Sequence, residues 1–228
     1  MKIGWNYSHL EPNGRNILFF RNTHHDSKRI QATILESLED NFSLFPVLFT
    51  EGYTGKYMLP ESAFRHTENE LREIIKSTTD QDLDAITTFA YRHHSKIIAG
   101  RLTIFGVENN DLYMSGLELI QLIRGFYKKG LGKLSNEEKD LLIRATEFYK
   151  RVNERREAYA VDVIDKSLKP SRSAGLIYGD RHFKGITTLL RSVGIGYLSF
   201  FPGSQKSTLS EEEKHQQMLL TILESLKQ

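Results

Sequence analysis

The chain has 228 residues, 39% of them hydrophobic, and a formal net charge of +2. That is enough apolar material for one good-sized core, so a single α/β domain over 1–228 is expected. The absence of cysteine excludes disulfide frameworks, thiolate metal sites and cysteine nucleophiles, and the one basic patch, "KRVNERR" (150–156), is weak evidence for a polyanion partner.

Five short apolar runs predict strands: Asn16–Phe20, Pro46–Thr50, Leu102–Val107, Ala174–Tyr178 and Ile195–Phe200. Helical patterns separate them. The first runs from Ser27 to about Glu39, with Ile30, Ile34, Leu35 and Leu38 on one face. Further helical segments are expected over 60–100 and 110–170, packed on the sheet or inserted into it. Ser135 with Glu138 forms a capping box that opens a helix reaching about Ser167. Ser210 with Glu213 repeats that signal ahead of an apolar stripe from Met218 to Leu226. Strands alternating with helices predict an α/β fold with a mostly parallel central sheet of about five strands. No apolar run approaches membrane-spanning length, and "MKIGWNYSHLEPNG" lacks the apolar segment of a signal peptide. A cytoplasmic protein is expected, with a small molecule or peptide as partner, no strong nucleic-acid signal and no membrane.

The strand ends carry the chemistry. His24 and His25 follow the first strand, and Glu51 follows the second, with Gly52 and Gly55 freeing the backbone. The third ends at Gly106 before Glu108, and the fourth at Gly179 before Asp180 and His182. A parallel sheet would bring all of these to one edge, where α/β proteins bind ligands. Polar residues after strands are also ordinary, because loops are solvated there. What distinguishes this set is imidazole beside carboxylate, which suits either a divalent metal or metal-free acid–base work. On the long helix, the stripe Leu141, Ala145, Phe148, Val152, Tyr159, Val163 puts Arg155 or Arg156 toward the buried side. A guanidinium there needs a carboxylate or a bound anion, unless it snorkels to solvent.

Together these residues resemble the TraB/Tiki group and its erythromycin esterase-like and ChaN-like relatives. "GDRH" (179–182) is similar to that superfamily's second GxxH motif. "RNTH" (21–24) resembles the first, with Arg21 where glycine is expected, His24 at the motif histidine and His25 as an addition. Glu51 in "TEGY" matches the second-strand acid. In "NERREAYA" (153–160), which looks like the family's arginine helix, Arg155 matches and Arg156 stands where an acid is common. Glu108 is a looser match to an acid of the esterase-like branch.

The resemblance implies a hydrolase that activates water at His24, Glu51 and His182, with Arg155 neutralising an oxyanion or holding Glu51. In the Tiki branch it implies a divalent ion (manganese, cobalt or zinc-like) on His24, Glu51 and His182, which would leave an open position for water. His25, Glu108 and Asp180 would be supporting residues. In the esterase branch it implies a histidine general base without metal. The ChaN-like branch implies a non-catalytic alternative, haem binding, for which His93 and His94 would serve if exposed; a solvated helix end is the simpler reading of that pair. A module kept for interactions alone is the third reading.

Overall fold

In the computed structural model, which describes residues 5–11, 14–22, 28–52, 54–56, 85–170 and 172–201, the run "NILFF" lies at the heart of the sheet. It belongs to β2 (Arg15–Asn22), where Ile17, Phe19 and Phe20 are wholly buried. A strand covered on both faces reads as continuously apolar, not alternating. The remaining strands are β1 (Trp5–His9), β3 (Val47–Thr50), β4 (Thr54–Lys56), β5 (Thr103–Val107), β6 (Ser173–Gly179) and β7 (Ile195–Phe200). The helices are α1 (Lys28–Asn41), α2 (Ala85–Arg92), α3 (His94–Ile98), α4 (Asn110–Lys129), α5 (Asn136–Ser167) and α6 (Phe183–Ser192).

The strands form one sheet in the order β1-β7-β2-β6-β3-β5-β4. β7, β2, β6, β3 and β5 are mutually parallel, and β1 and β4 pair antiparallel at the two edges. The fold is thus the expected mostly parallel α/β architecture, and all five expected strands are present. The two antiparallel edge strands are additional. Neither carries an apolar run: "WNYSH" is mostly polar, and "TGK" is three residues long.

The pleat sorts the sheet into two cores. Leu18, Phe20, Leu48, Ile104 and Ile177 pack with Ile34 and Leu38 of α1 and with Ile86 and Phe89 of α2. Ile17, Phe19, Phe49, Leu176 and Tyr178 pack on the other face, against Ala160, Val161 and Ile164 of α5 and Ile186 and Leu190 of α6. A third, smaller core of Ile123, Leu134, Leu142, Ala145 and Tyr149 holds α4 to the first half of α5. The capping box is formed: Ser135 accepts from the Glu138 amide while Glu138 reaches back to the Ser135 amide, so α5 starts where the sequence says it should. Among the described residues no helix is long and apolar enough to cross a membrane. The C-terminal helix expected from Ser210 and the segment 57–84 lie outside the described residues.

Candidate active site

Sheet parity decides where the acids point. Phe49 faces α5, and Glu51, two residues on, continues that side at the carboxyl end of β3. Its backbone N–H still donates to Ile177 O, so the strand pairing holds it against β6 before Gly52 turns the chain at φ +83°. Glu108 follows Val107 at the end of the neighbouring strand β5. Between them comes Arg156 of α5, 2% exposed. Its Nε and a terminal nitrogen donate to the two oxygens of Glu108 at 2.9 and 2.6 Å, and the same terminal nitrogen donates to Glu51 Oε1 at 2.8 Å. The other oxygen of Glu51 accepts the Gly179 amide at the end of β6, at 2.6 Å. Tyr113 of α4 sets its ring 5.3 Å from the guanidinium carbon. Burial disfavours the Arg156 charge, but the hydrogen bond to Glu108 and the charges of Glu51 and Glu108 outweigh it and hold the proton more tightly than usual.

His182 comes next along the same edge, on the single 3₁₀ turn Asp180–His182 between β6 and α6, and is 1% exposed. Its Nδ1 lies 2.8 Å from Glu157 Oε1, and its Nε2 lies 4.0 Å from Glu51 Oε1. Arg181 Nε donates to that Nε2 at 3.0 Å, and another Arg181 nitrogen donates to the Tyr149 hydroxyl at 3.0 Å. Because a guanidinium can only donate, Nε2 is the bare nitrogen and the ring proton sits on Nδ1, directed at Glu157. Burial pulls the His182 pKa below its ordinary value of 6.5, and the Arg181 and Arg156 charges assist, against the Glu157 hydrogen bond and the Glu51 charge. The imidazole is therefore neutral at pH 7. Tyr178, one register step from Glu51, stacks edge-on to His182 at 5.2 Å. Burial first, then Glu51 and Glu108, push its hydroxyl well above the ordinary tyrosine range, so it can serve only as a neutral group.

Of the residues expected from sequence, Glu51 and Glu108 share one hydrogen-bonded network through Arg156, and His182, in a second one with Glu157 and Arg181, approaches it to 4.0 Å at Glu51. Asp180 lies at the start of the same turn, paired to Arg21 and not to the cluster. His24 and His25 lie outside the described residues. Arg155 is a correction: it is exposed, and Arg156 is the buried arginine. The inward face of α5 runs Leu142, Ala145, Tyr149, Val152, Arg156, Ala160, Ile164, one residue out of phase with the stripe expected from Leu141 and Phe148. Those two are 41% and 57% exposed. The patch "KRVNERR" loses Arg156 to the interior accordingly. His93 and His94 are also corrected, since both are buried and neither is a solvated helix end. His93 is held by Glu39 at 2.6 Å.

Sequence reading missed Glu157, Arg181, Tyr178 and Gly185. Glu157 becomes legible once the helix phase is known, because Ala160 and Val161, three and four residues on, are buried and share its face. Gly185 has a plain reason to be glycine: a Cβ there would collide with the Glu157 carboxylate. Among the described residues no three His, Asp or Glu side chains form a ready metal ligand set, and His24, the third expected ligand, is not among them.

The fold and this edge define an α/β chain with a buried carboxylate–arginine–histidine network at the carboxyl ends of its parallel strands. No family model matches the chain, and no curated protein or solved structure does either.

Proposed function

We propose that the chain is a hydrolase that activates water with His182 as general base, acting on an ester or peptide bond, in the metal-free manner that the resemblance to the erythromycin esterase-like branch implies. The observation that carries this reading is the Glu157–His182 pair. It fixes the ring with its proton on Nδ1 and its lone pair on Nε2, 4.0 Å from a second carboxylate, Glu51. Water bound between Nε2 and Glu51 gives a proton to Nε2 as its oxygen attacks the carbonyl carbon. Glu157 stabilises the imidazolium that forms. Arg181 is drawn off Nε2 as substrate enters and places its N–H groups by the developing oxyanion, and the imidazolium then protonates the leaving oxygen or nitrogen. Arg156 bonds both Glu51 and Glu108 and fixes the two carboxylates in place.

The donor atoms support the metal-free form over the divalent-ion form. Both oxygens of Glu51 are taken, one by Arg156 and one by the Gly179 amide, and both ring nitrogens of His182 face a partner. A carboxylate committed to a guanidinium fits a divalent cation poorly, because two cations would share one oxygen. The test is a panel of aryl esters and short peptides, run with and without chelator on the wild type and His182→Gln. Hydrolysis that survives chelation and disappears in the variant supports the reading. Turnover restored by manganese after chelation, equal turnover in the variant, or no hydrolysis at all contradicts it.

A further inference from the structure

Arg21 is the residue that breaks the glycine pattern of the first motif, and its surroundings give it a use. It stands at the carboxyl end of β2, register partner of Tyr178, on the face shared with Ile17 and Phe19. Its guanidinium carbon lies 4.2 Å from the Phe183 ring centroid and 4.6 Å from that of Phe201. Nε donates to Asp180 Oδ1, which anchors one edge of the plane. Held against two aromatic rings and one carboxylate, the guanidinium is left with a terminal fork that meets no acceptor among the described residues, and its side chain is 16% exposed. Arg21 thus grips Asp180 and Phe183, the residues on either side of Arg181 and His182.

Arg181 is partly exposed as well and, among the described residues, donates to two neutral partners, the imidazole and the Tyr149 hydroxyl. The charges at this edge are therefore sorted. Glu51, Glu108, Glu157 and Asp180 are each already bonded to a cation, an amide or the histidine. The two groups flanking this turn that keep donors without an acceptor among the described residues are both guanidinium ions, Arg21 and Arg181.

We propose that Arg21, together with Arg181, forms an oxyanion-recognition rim, so that the substrate carries a carboxylate or phosphate group beside the bond that is cut. This rests on the hydrolase reading for the word substrate, but not for the binding itself. A planar fork with a preset edge loses little freedom on meeting an oxyanion and can take it bidentately. Drawing Arg181 toward the incoming anion would also uncover Nε2 of His182, so an anionic ligand would free the base that a neutral one leaves capped.

Calorimetric titration of the whole chain with succinate and with inorganic phosphate tests this without turnover. Saturable binding of either anion is expected, with succinate alone pointing to a carboxylate substrate and phosphate alone to a phosphorylated one. Arg21→Met/Asp180→Asn, which removes both charges of the anchor together, should weaken binding about tenfold or more. Arg21→Lys, which keeps the ion pair and loses the fork, guards against a folding artefact and should weaken it severalfold at unchanged melting temperature. Absence of binding in the wild type, or equal binding in both variants, overturns the proposal. Arg21-dependent binding in a protein that hydrolyses nothing would sink the hydrolase reading and leave this one standing.

Discussion

Two histidine–glutamate pairs lie on opposite faces of the sheet and are alike at short range. His93 Nε2 meets Glu39 at 2.6 Å while its Nδ1 meets Lys96 Nζ at 3.2 Å. His182 Nδ1 meets Glu157 at 2.8 Å while its Nε2 accepts from Arg181 at 3.0 Å. Each ring is thus held between a carboxylate and a cationic donor. Their settings differ. His93 is wedged between Phe42 and Phe89, with ring centroids 4.7 and 4.6 Å away, and ties α1 to the bend between α2 and α3. Burial alone would raise the Glu39 pKa, but the hydrogen bond and charge of His93 bring it below the ordinary carboxylate value. That pair is a tie between helices. His182 has a second acid near its free-electron side, an arginine fixing that acid, and a place at the carboxyl ends of parallel strands. A histidine–carboxylate pair becomes a candidate for chemistry through what faces its other nitrogen.

That contrast can be broken by mutation, and the largest effect is expected at Arg156. Arg156→Met removes the buried guanidinium that Glu51 and Glu108 share, and chemical denaturation should show a loss of about 3–5 kcal/mol. Arg155→Met, on the exposed side of the same helix, should change stability by less than about 0.5 kcal/mol. Next comes Gly185→Ala. An alanine within a helix ordinarily stabilises by up to about 1 kcal/mol over glycine, but here the added Cβ displaces the Glu157 carboxylate from His182. Turnover should fall about a hundredfold while the melting temperature holds, a combination that a purely structural pair would not give.

A smaller effect is expected from pH. His182 has a folded pKa below its ordinary 6.5, so the unfolded chain binds the extra proton first. Its contribution to stability is complete above pH 6.5 and is lost as pH falls through the folded value, with a slope of at most about 1.4 kcal/mol per pH unit. Denaturation curves of His182→Gln between pH 5 and 7 should lack this slope. The smallest effect belongs to the helix tie: His93→Gln should cost about 1 kcal/mol and leave turnover unchanged. A large loss of turnover there would erase the distinction between the two pairs.

Much of this was legible in the chain. The five parallel strands announce themselves because each is buried on both faces and so reads as an unbroken apolar run, and the strand-end acids and His182 follow from that topology. The edge strands do not, since an edge strand needs no apolar signal. The stripe through exposed Leu141 and Phe148 leaves Arg155 and Arg156 both open, and the resemblance of "NERREAYA" to the arginine helix points to Arg155, one residue from the buried arginine. Inward polar residues such as Glu157 leave no hydrophobic trace, so only the phase of the helix, fixed by Leu142, Tyr149 and Val152, could have found them. Arg21 reads in sequence as a damaged motif, and only the rings of Phe183 and Phe201 reveal what it replaces.

General-base chemistry at this edge depends on the protonation state of one ring, which nitrogen-15 NMR of the histidine side chains reads directly across pH 5–8. His182 should show the neutral tautomer with its proton on Nδ1 at pH 7 and titrate only below 6.5. A proton resident on Nε2, or a charged ring at neutral pH, would contradict it.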